Sequence, residues 1–102
     1  MYQEEADSTV THNGKEYNVN ALLRKAAKLS IDDVPVMWME WCINPSELDK
    51  DRVARADLSA PILYTIDPTY GHVPLDGAHR VAKAILLHRK TVPGRRIPTE
   101  WL

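Results

Sequence analysis

The sequence predicts an α+β protein, a small mixed β-sheet with covering helices. Three observations point there. The chain has 102 residues, 44% hydrophobic and 26% charged, which is ordinary globular usage for one domain. Apolar residues recur at helical spacing in some stretches and at strand spacing in others. The elements follow the order hairpin, helix, strand, helix, strand, strand, helix, strand, which suits a sheet covered by helices. A chain this short buries only about two-thirds of its unfolded surface, so it builds one core with room for a pocket. Residues 9–102 are expected to form that domain. The polar residues 1–8 are expected to be a disordered tail.

Each element has a local cause. Val10 to Tyr17 reads as a hairpin turning at Asn13-Gly14, because both central residues of the tightest turn need positive φ. Asn20 is expected to cap a helix over 21–29, with Leu22, Leu23, Ala26, Ala27 and Leu29 on one face. Arg24, Lys25 and Lys28 take the other face, and the last two suit the helix C-terminus. Val34 to Trp41 is apolar and reads as a buried strand, with Pro35 near its start. Its tryptophans, Trp38 and Trp41, are expected in the core. Asn44-Pro45 reads as cap and first residue of a helix over 46–55. Ile62 to Ile66 reads as a strand, Asp67 to Gly71 as a turn, and His72 to Leu75 as a return strand. A helix over 79–88 follows, with Val81, Ala84, Ile85 and His88 on one stripe. Thr91 to Pro93 closes the sheet, with Gly94 as a bulge or turn. Trp101 is expected to pack the C-terminal residues back onto the domain.

Composition excludes several classes. No apolar run approaches the roughly 20 residues of a membrane helix. The acidic opening residues lack the basic and apolar regions of a signal peptide. Cys42 is the one cysteine, which excludes an internal disulfide and a multi-cysteine zinc site. It reads as a half-buried small hydrophobe. The histidines, His12, His72, His79 and His88, show no tight ligand spacing, so no zinc is expected. The reading is a cytoplasmic protein without membrane contact.

Charge is unevenly spread. Residues 1–51 hold 10 acids and 5 bases, and residues 52–102 hold 4 acids and 8 bases. From His79 to Arg96 there are six bases and no acid. Either an anionic partner meets this half, or the run is a solvated helix face and basic tail.

The segment with most chemistry is Leu75-Asp76-Gly77-Ala78-His79-Arg80, where a strand gives way to a helix within four residues. Gly77 permits a sharp turn and close backbone approach. The first N–H groups of the helix lack intrahelical partners and, with the helix dipole, favour an anion. His79 and Arg80 in that turn oppose the dipole by up to about 1 kcal/mol, a sign that a bound phosphate reverses. Arg80 can clamp a phosphate and His79 can donate to it. The competing reading has Asp76 capping the helix and pairing with Arg80. Asp76 alternatively assists Mg²⁺ carried by phosphates. Lys83, one turn on, reaches either phosphate or solvent. Ser59 and Asp57, just before the central strand, either touch ligand or shape a turn. Glu40, among large apolar groups, is a candidate base unless strand alternation turns it to solvent. Trp38 and Trp41 either fill the core or stack a base.

Gly77-Ala78-His79-Arg80, followed by Val81-Ala82-Lys83-Ala84, resembles the signature loop and helix of the ParB/sulfiredoxin superfamily. Asp76-Gly77-Ala78-His79-Arg80 is similar to the D-G-x-H-R form of ParB-like proteins. Ser59 to Tyr64 resembles the strand before the loop, and Lys90 to Ile97 the closing strand. The likeness covers about residues 57–97 and is weaker from Lys15 to Trp41, where Glu16-Tyr17-Asn18-Val19 resembles stand-alone members, many from phages. The resemblance implies a ParB/sulfiredoxin-like fold and a nucleotide, ATP or CTP, with its phosphates at Gly77, Ala78, His79 and Arg80. NTPase or small phosphotransferase activity, with Mg²⁺, is the associated expectation. Sulfiredoxins carry their reactive cysteine where this chain has Ala78, so that activity is not expected. The alternative is a non-catalytic phage or plasmid accessory protein that binds DNA or a host protein. On the nucleotide reading, Arg80→Ala is expected to remove binding and leave the fold intact.

Overall fold

A computed structural model describes residues 9–102. The expected tail over residues 1–8 lies outside the described residues. The described chain runs β1 (Thr9–His12), β2 (Lys15–Asn18), α1 (Val19–Ala26), β3 (Asp32–Pro35), α2 (Lys50–Arg55), β4 (Ile62–Asp67), β5 (Gly71–Asp76), α3 (Ala78–Leu86) and β6 (Thr91–Arg96). Short 3-10 turns occupy Val36–Met39, Pro45–Glu47 and Thr99–Trp101.

The hairpin β1–β2 turns where expected. Asn13 at φ +52° and Gly14 at φ +79° supply the two positive φ values. The hairpin forms its own two-stranded sheet. The other four strands form a mixed sheet in the order β3-β6-β4-β5. β4 pairs antiparallel with β5 and parallel with β6, and β6 pairs antiparallel with β3. The parallel pair requires a crossover, supplied by β5 and α3. An α+β architecture with a small mixed sheet and covering helices is therefore the fold class. Among the described residues no helix is long and apolar enough to cross a membrane.

β4 lies between β6 and β5 and is buried along nearly its whole length. Alternate side chains point to opposite faces of a strand. Ile62 and Tyr64 join Val34, Val36, Met39, Val81, Ala84 and Val92 on one side. Leu63 joins Leu22, Ala26, Leu75 and Ile97 on the other. β4 thus anchors both halves of the core, and α3 and α1 cover its two faces.

Several expected boundaries shift. Asn18, not Asn20, caps α1, its side chain accepting from the Ala21 N–H at 2.9 Å. The stretch expected as a strand over Val34 to Trp41 divides. Its first residues end β3, and Val36–Met39 coils into a 3-10 turn with Val36 and Met39 inward. The spacing of three matches that helix's period. Trp38 and Trp41 consequently face outward at 49% and 54% exposure, against the expectation of a core position. Cys42 is also exposed. Asn44 caps only the turn Pro45–Glu47, and Asp49 caps the true helix α2 by accepting from Arg52 N–H. α3 begins at Ala78 and ends at Leu86. β6 runs straight through Gly94, which is no bulge. A Cβ there would lie 2.9 Å from Val34 Cγ2 and 3.1 Å from Ile62 Cγ1, so glycine is what lets three strands close over it. Arg95 ties α1 to the sheet by donating to the carbonyls of Ala26, Ala27 and Leu29. Trp101 packs on the second core cluster as expected, with Lys25 Nζ 4.7 Å from its ring centre.

Candidate functional site: an anion cleft at the start of α3

β5 delivers Asp76 opposite Leu63, and the chain then turns sharply at Gly77 into α3. Gly77 sits at φ +105°, in the left-handed region. A Cβ there would lie 2.6 Å from Ile62 Cγ2. The turn therefore requires glycine twice over, for its φ and for its closeness to β4. Having no side chain, Gly77 also leaves the first turn of α3 without a side-chain cap. The first N–H groups of α3 have no intrahelical acceptor. Asp76 does not cap the helix. It pairs with Arg80, Oδ2 to Nη2 at 3.4 Å.

Two clefts meet at this turn. One, about 220 Å³, is lined by Arg52, Ala56, Asp76, Gly77, His79 and Arg80. The other, about 300 Å³, shares Arg52, Asp76, Gly77 and His79 and extends over Ala78 to Thr9, Val10, Val19, Pro74 and Leu75. Among the described residues, Asp76 is the one carboxylate lining either cleft. Two bases common to both, Arg52 and His79, come from different helices.

Arg52 was not a sequence candidate. It lies 25 positions before Gly77 on a helix with weak apolar patterning, so nothing local connects it to the loop. Asp49 starts α2 three residues before it, and the helix carries Arg52 to the mouth. Among the described residues its guanidinium makes no direct hydrogen bond or ion pair. His79 is held below its ordinary value, first by burial and then by the Arg52 charge, with Asp49 pulling the other way. Burial alone disfavours the imidazolium, and the Arg52 charge adds to that effect.

The sequence candidates divide. Gly77, Ala78, His79, Arg80 and Asp76 come together around the turn. Arg80 is built into its wall, with one terminal nitrogen donating to the carbonyls of Ala60 and Pro61. Removing it would free the loop before β4 as well as alter the cleft, so Arg80→Ala is not a clean test of binding. Ser59 lines neither cleft. Its hydroxyl and amide donate to Asp57 Oδ1 at 2.6 and 2.9 Å, holding that carboxyl below its ordinary value and shaping the same loop. Lys83 turns away and donates to the carbonyls of Ala54 and Ala56 at 2.8 and 2.9 Å, tying α3 to the end of α2. It lines a separate, mostly apolar groove of about 340 Å³ between those helices. Glu40 is exposed and follows the turn Val36–Met39, and it lines neither cleft. The structure does not bring it to Asp76. Among the described residues no three of His, Cys, Asp and Glu gather into a metal cage. A Mg²⁺ ion here would have Asp76 beside it and would need phosphate oxygens to complete its shell.

Neither the protein-family models nor the curated proteins compared with this chain give a match.

Proposed function

We propose that this chain binds a phosphate group, carried by a nucleotide, at the start of α3. One observation carries the reading. The first turn of α3 is uncapped, opens onto a cleft, and gathers His79, Arg80 and Arg52 where helices ordinarily place acids. Without an anion Arg80 has Asp76 as its counter-charge, while Arg52 and the protonated form of His79 face the positive end of the helix. A phosphate would accept from the N–H groups of the first turn and offset these repulsions by pairing with the bases. In this reading the backbone at Ala78, His79 and Arg80 receives the anion, Arg52 and His79 close over it, and Arg80 braces the loop. The likeness of Asp76-Gly77-Ala78-His79-Arg80 to the ParB-like loop supports the reading. So does its position between a strand and a helix. With Asp76 paired to Arg80 and no second carboxylate lining the clefts among the described residues, the geometry supports binding more directly than phosphoryl transfer.

Thermal denaturation with inorganic phosphate, ATP and CTP, each with and without Mg²⁺, tests this. Ligand at 100 times its dissociation constant adds about 2.7 kcal/mol, a shift of several degrees in a domain this small. Arg52→Ala should weaken binding about 10–100-fold, the worth of a charge-assisted hydrogen bond, and leave the unliganded melting point nearly unchanged. A folded protein that none of these ligands shifts refutes the proposal.

A further inference from the structure

Two sequence features are not absorbed by the anion cleft: the tryptophans around Glu40 and half of the basic run. The structure gathers the tryptophans, with Arg96 from that run, on one face. Trp41 and Tyr70 stack with ring centres 5.7 Å apart and planes within 13°. Trp38 lies over His72 at 4.4 Å, and His72 stacks on Tyr64 at 5.6 Å. The Trp41 indole N–H donates to the His72 carbonyl at 3.1 Å, which fixes the ring's orientation. Met39, fully buried, pins the segment to the core, while Met37, Trp38, Trp41 and Tyr70 are 49–71% exposed. This face lies at the opposite end of β4 from Gly77, since His72 pairs with Ile66 while Gly77 abuts Ile62.

Of the six bases between His79 and Arg96, Arg80, Lys83 and Arg95 hold backbone carbonyls. Arg89, Lys90 and Arg96 are exposed, and among the described residues their side chains make no hydrogen bond or ion pair. Arg96 is the register partner of Tyr64. The Lys90 carbonyl accepts the N–H of Val36 at 2.9 Å, at the base of the turn that carries Trp38. Arg96 thus sits beside the aromatic surface, while Arg89 and Lys90 lie before the other end of β6, which runs parallel to β4. Glu40, Asp32 and Asp67, which accepts the Tyr70 N–H, are nearby acids, so the field is mixed and the rings offer the main contact.

We propose that this aromatic face binds single-stranded nucleic acid, with bases stacking on Trp38, Trp41 and Tyr70 and a backbone phosphate meeting Arg96. Near-parallel exposed rings present a flat face that extends naturally into a stack of bases, and stacking of this kind tolerates any sequence. A duplex hides its base faces and gains only the phosphate contacts.

The test is fluorescence anisotropy with oligothymidylate of about 12 nucleotides and a blunt duplex of equal length, at low and rising salt. The expected result is binding to the single strand at least tenfold tighter than to the duplex, with quenching of tryptophan emission. Trp41→Ala and Tyr70→Ala should each weaken it about tenfold or more, Trp41→Phe should restore part of the loss, and Arg96→Gln should lower the salt slope by about one. Melting points of the variants separate loss of the surface from loss of the fold. Arg52→Ala should leave oligonucleotide binding intact. Four outcomes overturn the proposal: no binding at low salt; equal affinity for the duplex; loss on Arg52→Ala, which would place the strand in the anion cleft; or a dimer that Trp41→Ala dissociates, which would give this face to a second copy.

Discussion

At Gly77 the backbone takes φ +105° where Ile62 Cγ2 would stand 2.6 Å from a Cβ. Gly77→Ala should therefore cost about 2–4 kcal/mol, part from left-handed backbone and part from overpacking against β4. Urea unfolding at unchanged slope checks it. This residue was legible in the sequence, because a glycine between a strand and a helix has few other uses. His79 was legible as a candidate, but its electrostatic setting was not, because that depends on Arg52 from a distant helix. The setting has a consequence with a definite sign. His79 titrates below its ordinary value in the folded chain. The unfolded chain therefore takes up that proton first, and stability falls as pH drops below about 6.5. A bound anion reverses the preference and favours the imidazolium. Sulfate, whose charge is constant across this range, should bind more tightly as pH falls from about 7.5 to 5.5. His79→Gln should flatten that dependence. An unchanged slope in the variant would remove His79 from the site.

Elements with a clear period or turn chemistry were readable, and those without were not. Asn13-Gly14 fixed the hairpin, and the β-type run Ile62 to Ile66 fixed β4. The stretch Val34 to Trp41 was misread as one strand because every residue except Glu40 is apolar or aromatic, so no alternation marks it. Only the pair Val36 and Met39, three apart and both buried, betrays the 3-10 turn. That misreading also sent Trp38 and Trp41 to the core and hid the aromatic face. α2 was displaced by a competing cap. Asn44-Pro45 does start a helical turn, but Leu48 leaves it in extended conformation, and Asp49 starts the helix afresh. Because α2 carries Arg52, its cap bears on the cleft. Asp49→Ala removes the acceptor for Arg52 N–H, 3.0 Å away, and frays the first turn. It should weaken phosphate binding by less than about tenfold, a smaller effect than Arg52→Ala, because the base remains on a looser helix. Titration calorimetry of both variants against inorganic phosphate checks the order. A larger loss for Asp49→Ala would mean that the carboxylate itself serves the site.

Across the whole molecule, the hairpin is the part least tied by strand pairing, since it shares no sheet with β4. Its attachment rests on side chains at each end. At one end Tyr17 Oη donates to the Leu102 carbonyl at 2.6 Å. At the other, Asp67 is the point of union: Thr69 and Tyr70 N–H groups donate to Oδ1, and Asn13 Nδ2 donates to Oδ2, with His12 Nε2 3.5 Å from the same oxygen. Asp67 was read from the sequence only as a turn residue, because its partners across the chain, His12 and Asn13, lie more than 50 positions away. Those donors hold its carboxyl below the ordinary carboxylate value, the backbone N–H groups of Thr69 and Tyr70 first. A depressed carboxylate stabilises the fold fully above its unfolded value and loses that contribution as pH falls through its folded value. The hairpin also supplies Thr9 and Val10 to the wall of the larger cleft, so its docking bears on the ligand site. Asp67→Asn places an amide donor where donors already converge. At neutral pH it should lower the melting point and speed hydrogen exchange across residues 9–18. As pH falls through the lowered value of the Asp67 carboxyl, the charge that distinguishes the two proteins is lost and the difference between them should narrow. A gap that persists unchanged into acid would show that the carboxylate charge does not hold the hairpin, and would leave packing of Val10 and Tyr17 against the second core cluster as its attachment.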